Sequence, residues 1–400
     1  MKHSSVNPWL VVLGTIIVQM GLGTIYTWSL FNQPLVSKFS WNLNAVAITF
    51  SITSFSLSFS TLFASKLQEK WGLRKLIMIA GLSLGIGLIL SSQVSSLLML
   101  YILAGVVVGY ADGTAYIISL SNLIKWFPKR KGLISGICVS SYGTGSLIFK
   151  YVNAKLIDSV GVSQAFLYWG LVVATMVVIG ACFIHKAAEQ DTVHETKSHD
   201  YTTSEMLRTK QVYLLFIMLF TSCMGGLYLI SMVKDIGVKL VGLSAATAAN
   251  AVAMIAIFNT VGRIILGPLS DKIGRLKIVS ATFVIIATSV FVLSFVDLNY
   301  GIYFACVASV AFCFGGNITI FPAIVGDFFG LKNHSKNYGI VYQGFGFGAL
   351  AGSFIGAILG GFKPTFMVIG ALCVLSFIIA ILIRPPNEQK EKQKNYRGAA

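Results

Sequence analysis

Charge is scarce in this 400-residue chain, and acidic charge scarcest of all. Only 11% of residues are charged, with 14 Asp and Glu against 30 Lys and Arg. A soluble domain carries roughly a quarter charged residues, so a water-covered surface of ordinary composition is excluded. The five histidines (3, 185, 194, 199 and 334) fall outside the apolar blocks, in tails and loops. The six cysteines (138, 182, 223, 306, 313 and 373) are scattered singly and form no CxxC pair, so neither a metal site nor a disulfide framework is indicated. No Gly-x-x-x-x-Gly-Lys-Ser/Thr loop, His-Glu-x-x-His pair or nucleophile motif occurs, which speaks against ATP use and against an enzyme. No cofactor or metal is expected.

What is present is apolar. Hydrophobic residues make up 56% of the chain, and they fall into twelve blocks at 9–34, 44–66, 75–93, 97–123, 132–156, 163–184, 211–234, 245–268, 276–296, 299–325, 336–360 and 363–383. Each is about as long as a helix must be to cross ~30 Å of hydrocarbon. Lipid offers backbone groups no partner, so such segments must be helical. The fold class read from this is an all-α integral membrane protein of twelve transmembrane helices. The first block is too long for a signal-peptide core and is expected to be retained.

The net charge of +16 could suggest nucleic acid, but its distribution points to the bilayer. Loops after even-numbered spans and the two tails hold 23 Lys and Arg, and the opposite side holds 5. The positive-inside rule then places both termini in the cytoplasm of a multi-pass cell-membrane protein, here expected to be bacterial and monomeric. Two basic residues, Lys150 and Arg263, are left within spans.

The chain repeats itself at an offset of about 202 residues. Gly23-Thr24-Ile25-Tyr26-Thr27-Trp28-Ser29 matches Gly225 to Ser231, and Leu67-Gln68-Glu69-Lys70-Trp71-Gly72 matches Leu269 to Gly274. Gly143-Thr144-Gly145-Ser146-Leu147 matches Gly346 to Leu350 with one residue inserted. Two parallel six-span repeats follow: 1–184, a cytoplasmic linker at 185–210, 211–384, and a charged tail at 385–400. A helix start is expected at Tyr201 to Glu205.

Twelve spans in six plus six, with Gly267-x-x-x-Asp271-Lys272-x-Gly274-Arg275 after span 8, resemble the major facilitator superfamily. Asn259-x-x-Gly262-Arg263 running into that loop, together with Gly23 to Trp28, Asn337-Tyr338-Gly339 and Tyr342, resembles its oxalate/formate antiporter family and the related monocarboxylate transporters. The resemblance implies a secondary transporter in which the span 8 arginine holds a substrate carboxylate, and in which Asp271 with Lys272 and Arg275, and Glu69 with Lys70, form gating loops. It also implies departures. The family's span 11 lysine is missing from Tyr342-Gln343-Gly344-Phe345-Gly346, its monocarboxylate branch has an aspartate where Asn259 stands, and a span 1 lysine is absent. A small monocarboxylate of the lactate, pyruvate or formate type is therefore expected, coupled to protons or to a counter-anion. The rivals are an oxalate-like dicarboxylate antiporter and a non-transporting sensor of organic acids.

The residues give each candidate more than one reading. Arg263 either holds an anion through its planar fork of donors or snorkels to headgroups; its repeat partner is Thr61. Lys150, with Tyr142, Ser146 and Asn153 at helical spacing on span 5, is a ligand, an outer gate or proton site, or another snorkelling side chain. Asp112, on span 4 with Tyr116, Ser119 and Asn122, is a proton carrier or a structural partner. Gln19, Tyr26, Tyr228, Tyr116, Tyr142, Tyr342 and Asn259 either contact a short acid or pack between spans.

Overall fold

The computed structural model describes residues 7–187 and 200–386. All the regular structure among them is helical, as expected for a chain whose backbone must satisfy itself. Joined across short kinks, the helices form twelve rods. α1 covers 8–39, α2 Leu43–Trp71, α3 Leu73–Ser91, α4 97–126, α5 131–160 and α6 162–183. α7 covers Lys210–Val241, α8 Ala245–Ile273, α9 Arg275–Phe295, α10 Tyr300–Phe329, α11 334–358 and α12 Phe362–Leu382. α5 and α6 run on as one stretch, broken only at Gly161 (φ 76°, ψ 164°). Counting that stretch once, nine helices among the described residues are long and apolar enough to cross a membrane.

Several rods are not straight. α1 tightens into a 3-10 turn at Thr24–Thr27, within the repeated Gly23 to Ser29 motif. Its threonines turn inward: Thr24 Oγ1 donates to the Gly21 carbonyl and Thr27 Oγ1 to the Thr24 carbonyl, at 2.8 and 2.7 Å. α4 holds a π-helical stretch at Tyr101–Val107. α11 is kinked at Tyr342. Such irregular turns inside helices mark places where side chains are re-aimed or where the rod can bend.

Contacts divide the chain into two compact units. One is Met1–Pro128 with Ile137–Ala188, and the other is Lys129–Gly136 with Glu189–Ala400. The boundary falls inside α5, whose first turns cluster with the second unit.

Within each unit the same helix crossing recurs. In the first, Gly113 of α4 lies against α2, where a Cβ would stand 1.9 Å from the Leu57 carbonyl oxygen. In the second, a Cβ on Gly315 of α10 would stand 2.1 Å from the Asn259 carbonyl oxygen of α8. Both members of the pair differ by 202 residues, so the sequence repeat is a structural one. Only glycine lets two backbones approach this closely.

The end of the linker is docked. Thr202 and Glu205 form a capping box on the short helix Thr203–Leu207, the start expected from sequence. Tyr201 N donates to the Phe329 carbonyl, while its own carbonyl accepts from Nδ2 of Asn333 and of Asn337 at 3.0 and 3.1 Å. Asn337 is thus tied to the linker by its amide. The rest of the linker, 188–199, and the tail from 387 lie outside the described residues. His334 corrects the expectation that every histidine sits in a loop or tail. It is fully buried in the first turn of α11, with Nε2 2.8 Å from the Pro322 carbonyl.

Candidate functional site

Arg263 is placed by α8, and the exposure pattern of that helix decides which way it faces. Ile257, Ile264 and Ile265 are 55%, 55% and 47% exposed and form the outward stripe. Asn259, Arg263, Leu266 and Ser270 are all buried, Arg263 at 5% exposure. They recur at three- and four-residue spacing, which is one helix face. A guanidinium snorkelling to headgroups would expose its tip, and this one does not. One turn earlier, Asn259 Nδ2 donates to the Ala311 carbonyl of α10 at 3.3 Å, so its amide is engaged at the α8–α10 crossing.

The other candidates of this unit make ring contacts with neighbouring aromatics. Tyr228 on α7 meets Phe366 of α12 edge-on, with ring centroids 5.9 Å apart, and lies over Gly356 of α11. Tyr342 stacks on Phe345 at 5.2 Å and leans on Tyr338 at 5.4 Å.

The first unit gathers five of the sequence candidates into one cluster. Asp112 on α4 is fully buried and its Oδ1 accepts from the Tyr142 hydroxyl of α5 at 3.2 Å. Oδ2 is buried without a hydrogen-bond partner among the described residues. The Tyr142 ring meets Tyr26 of α1 edge-on at 5.3 Å and Tyr116 of α4 at 5.8 Å. Gln19 of α1 closes the group, its Nε2 donating to Ser119 Oγ at 2.9 Å and to the Tyr116 carbonyl at 3.4 Å. Tyr26 sits within the 3-10 turn of α1.

Lys150 corrects the face proposed for span 5. Tyr142 and Asn153 are buried, but Lys150 is exposed. Eight residues of helix leave it about 80° around from Tyr142, which carries it off the buried face. Asn153 instead donates to Thr27 Oγ1 at 2.8 Å.

The segment expected to be a charged loop after span 8 is also corrected. α8 stays helical through Pro268 to Ile273, and the turn is made by Gly274 alone at φ 110°. Proline removes one hydrogen bond, which a membrane helix tolerates. Likewise Glu69 and Lys70 lie inside the last turn of α2, both exposed, with Lys70 Nζ 6.0 Å from the Trp71 ring. Lys272 is exposed as well.

Around that turn lies a charge cluster, and half of it was not anticipated. Asp271 accepts from the backbone N–H of Gly132 at 3.0 Å and of Leu133 at 2.8 Å, so it caps the start of α5. A carboxylate there meets both free N–H groups and the positive end of the helix dipole. Arg275 Nη1 donates to Asp271 Oδ1 at 2.6 Å, and its Nε donates to Asp327 of α10. Lys131, 7% exposed, donates to Asp327 at 2.8 Å. Lys131 and Asp327 are 196 residues apart, and no local pattern links them. Asp327→Asn is expected to lower the thermal unfolding temperature of the purified protein by the equivalent of about 1–3 kcal/mol. Adding Lys131→Met should restore part of the loss, because an unpaired buried ammonium is then removed. A fluorescence melt in detergent checks the order of the three variants.

A family model, Major Facilitator Superfamily, matches residues 11–321 and 215–399. The chain belongs to the major facilitator superfamily. An uncharacterized MFS-type transporter of Escherichia coli, YhjX, is 45% identical over 344 residues, 86% of each chain. The oxalate:formate antiporter of Oxalobacter formigenes is 28% identical over 95% of this chain and 92% of its own. Human monocarboxylate transporter 11 is 27% identical over 52% of this chain and 44% of its own. Among solved structures, the major facilitator transporter FucP in its outward conformation superposes with a TM-score of 0.73 at 12% identity, covering 93% of this chain and 97% of that one. The superfamily assignment and these relatives make the chain a multi-pass membrane transporter and not an enzyme.

Proposed function

We propose that this major facilitator protein is a secondary transporter of a small monocarboxylate, of the lactate, pyruvate or formate type. It works by alternating access in the cell membrane, with both termini in the cytoplasm, either with protons or in exchange for a counter-anion. One observation carries the reading: Arg263 is buried on the packed face of α8, with Asn259, Leu266 and Ser270, where its repeat partner is Thr61. A guanidinium is expensive within a span and is kept there for a function. Its fork matches a carboxylate in two places. The named activities of the antiporter and monocarboxylate relatives support the same chemistry. Compensation of the moved charge is required, because an anion entering alone against an inside-negative potential pays ~2.3 kcal/mol per 100 mV.

The 28% likeness to an oxalate:formate antiporter over nearly the whole chain favours a second reading, exchange of a dianion. A dianion calls for a second deep cation. The α11 stretch Tyr342 to Gly346 has none, and Lys150 is exposed.

Counterflow in proteoliposomes tests both readings. Purified protein preloaded with unlabelled acid should accumulate labelled lactate, pyruvate or formate transiently. Counterflow of oxalate alone would transfer the assignment to the dianion. Thermal stabilisation by an acid without any counterflow would make the protein a sensor.

A further inference from the structure

We propose that Asp112 is the proton-carrying group of the transport cycle, binding one proton for each monoanion moved, with Tyr142 as the partner that positions its carboxyl. The inference rests on the monocarboxylate reading above and adds the coupling ion. The step is a simple protonation. A carboxylate oxygen of Asp112 takes a proton from water on one side of the membrane, and the acid returns it to water on the other. One proton and one monoanion together carry no net charge.

Three observations carry it. The first is the poverty of partners around a fully buried carboxyl. Oδ1 has a single donor, the Tyr142 hydroxyl at 3.2 Å, and Oδ2 has none among the described residues. An ionised carboxylate in such a place lacks the donors it needs, whereas a proton on Oδ2 leaves one oxygen to accept from Tyr142.

The second is what faces it. The ionisable groups of the cluster are phenols: Tyr142 from α5, Tyr26 from α1 through the Tyr142 ring, and Tyr116 from α4 itself. From α2, the Ser56 side chain lies next to Gly109 and the Ser60 hydroxyl next to Gly113. Cys138 is buried one turn before Tyr142 on α5. Among the described residues no cation is paired with Asp112 to fix its charge, which distinguishes it from Asp271 and Asp327.

The third is the repeat. The contacts of Gly113 on Leu57 and of Gly315 on Asn259 set the register of α4 against α10, so Asp112 corresponds to Phe314. Through the match of Gly143 to Leu147 with Gly346 to Leu350, Tyr142 corresponds to Phe345. The second unit therefore has phenyl rings at both positions, and carboxyl and phenol occur together or not at all. Arg263 against Thr61 is the mirror case. The duplicated scaffold needs neither pair for packing. One repeat holds a deep acid and the other a deep base.

The test uses the full chain in proteoliposomes with labelled lactate, pyruvate or formate, whichever supports counterflow. Two quantities are compared: counterflow, and accumulation driven by an imposed pH gradient. Wild-type protein should accumulate the acid along the proton gradient, and an external pH electrode should record about one proton taken up per anion. In Asp112→Asn gradient-driven accumulation should fall to the level of empty liposomes, and Asp112→Glu should recover part of it. Tyr142→Phe should shift the pH at which gradient-driven uptake is half-maximal. Wild-type uptake that moves no proton would overturn the proposal, and it does so whether or not the variants fold. Asp112→Asn accumulating the acid like wild type would also overturn it. Either result leaves counterflow, and with it the monocarboxylate reading, intact, whereas absence of counterflow for every acid would overturn that reading first.

Discussion

Arg263→Gln is expected to weaken binding of the transported acid by roughly 30- to 1,000-fold. Removing one member of a buried, hydrogen-bonded charge pair costs about 2–5 kcal/mol, and each ~1.4 kcal/mol is a factor of ten. Glutamine keeps much of the length and some hydrogen bonding, so the loss reports charge and the two-pronged geometry rather than a hole. Arg263→Lys should fall between the two, because an ammonium keeps the charge but cannot match both carboxylate oxygens at once. Half-saturation in counterflow, paired with thermal stabilisation by the same acid, measures both variants. An Arg263→Lys protein with wild-type rate and affinity would remove this residue from the site.

Gly113→Ala should destabilise the protein by about 1–3 kcal/mol, a large effect for a single methyl group. The added carbon would stand 1.9 Å from the Leu57 carbonyl oxygen and 2.4 Å from Ser60 Oγ. The first of these is backbone, so α2 and α4 must separate. Gly301→Ala is the control with the opposite sign. That position is exposed at the start of α10, and its nearest neighbour would be Asn299 Oδ1 at 3.5 Å, an ordinary contact. There alanine should be neutral or stabilising by up to about 1 kcal/mol, since it restricts the unfolded chain. Melting temperatures in one detergent compare the two. Equal shifts would mean that the α2–α4 crossing yields easily.

The helices were legible because hydrocarbon leaves the backbone no alternative, and their number followed from block length. Their ends were not, because charge was read as loop. α8 continues through Asp271 and Lys272 to Ile273, because charged side chains do not stop the backbone from hydrogen-bonding as a helix. The depth of Arg263 could be counted along the helix, whereas its direction needed the exposure of Ile257, Ile264 and Ile265. Asp112, Tyr142, Tyr116, Tyr26 and Gln19 were each visible as polar residues in apolar spans, but their convergence depends on how α1, α4 and α5 cross. Lys150 does not share the buried side of α5 with Tyr142 because eight residues are not a whole number of turns. Lys131 and Asp327 were missed because ion pairs between distant segments leave no spacing to read. The scarcity of acids was the available signal, since Asp327 follows a long uncharged run.

The shared crossing of Gly113 on Leu57 and Gly315 on Asn259 allows each half to be compared with the other position by position. A chain made by copying the first half twice would have an aspartate at both copies of position 112 and no arginine at the place of Arg263, and copying the second half twice would give the reverse. The halves differ at three related pairs of positions, Thr61 with Arg263, Asp112 with Phe314 and Tyr142 with Phe345, and on the proposed scheme these differences are what let one chain carry an anion together with a proton.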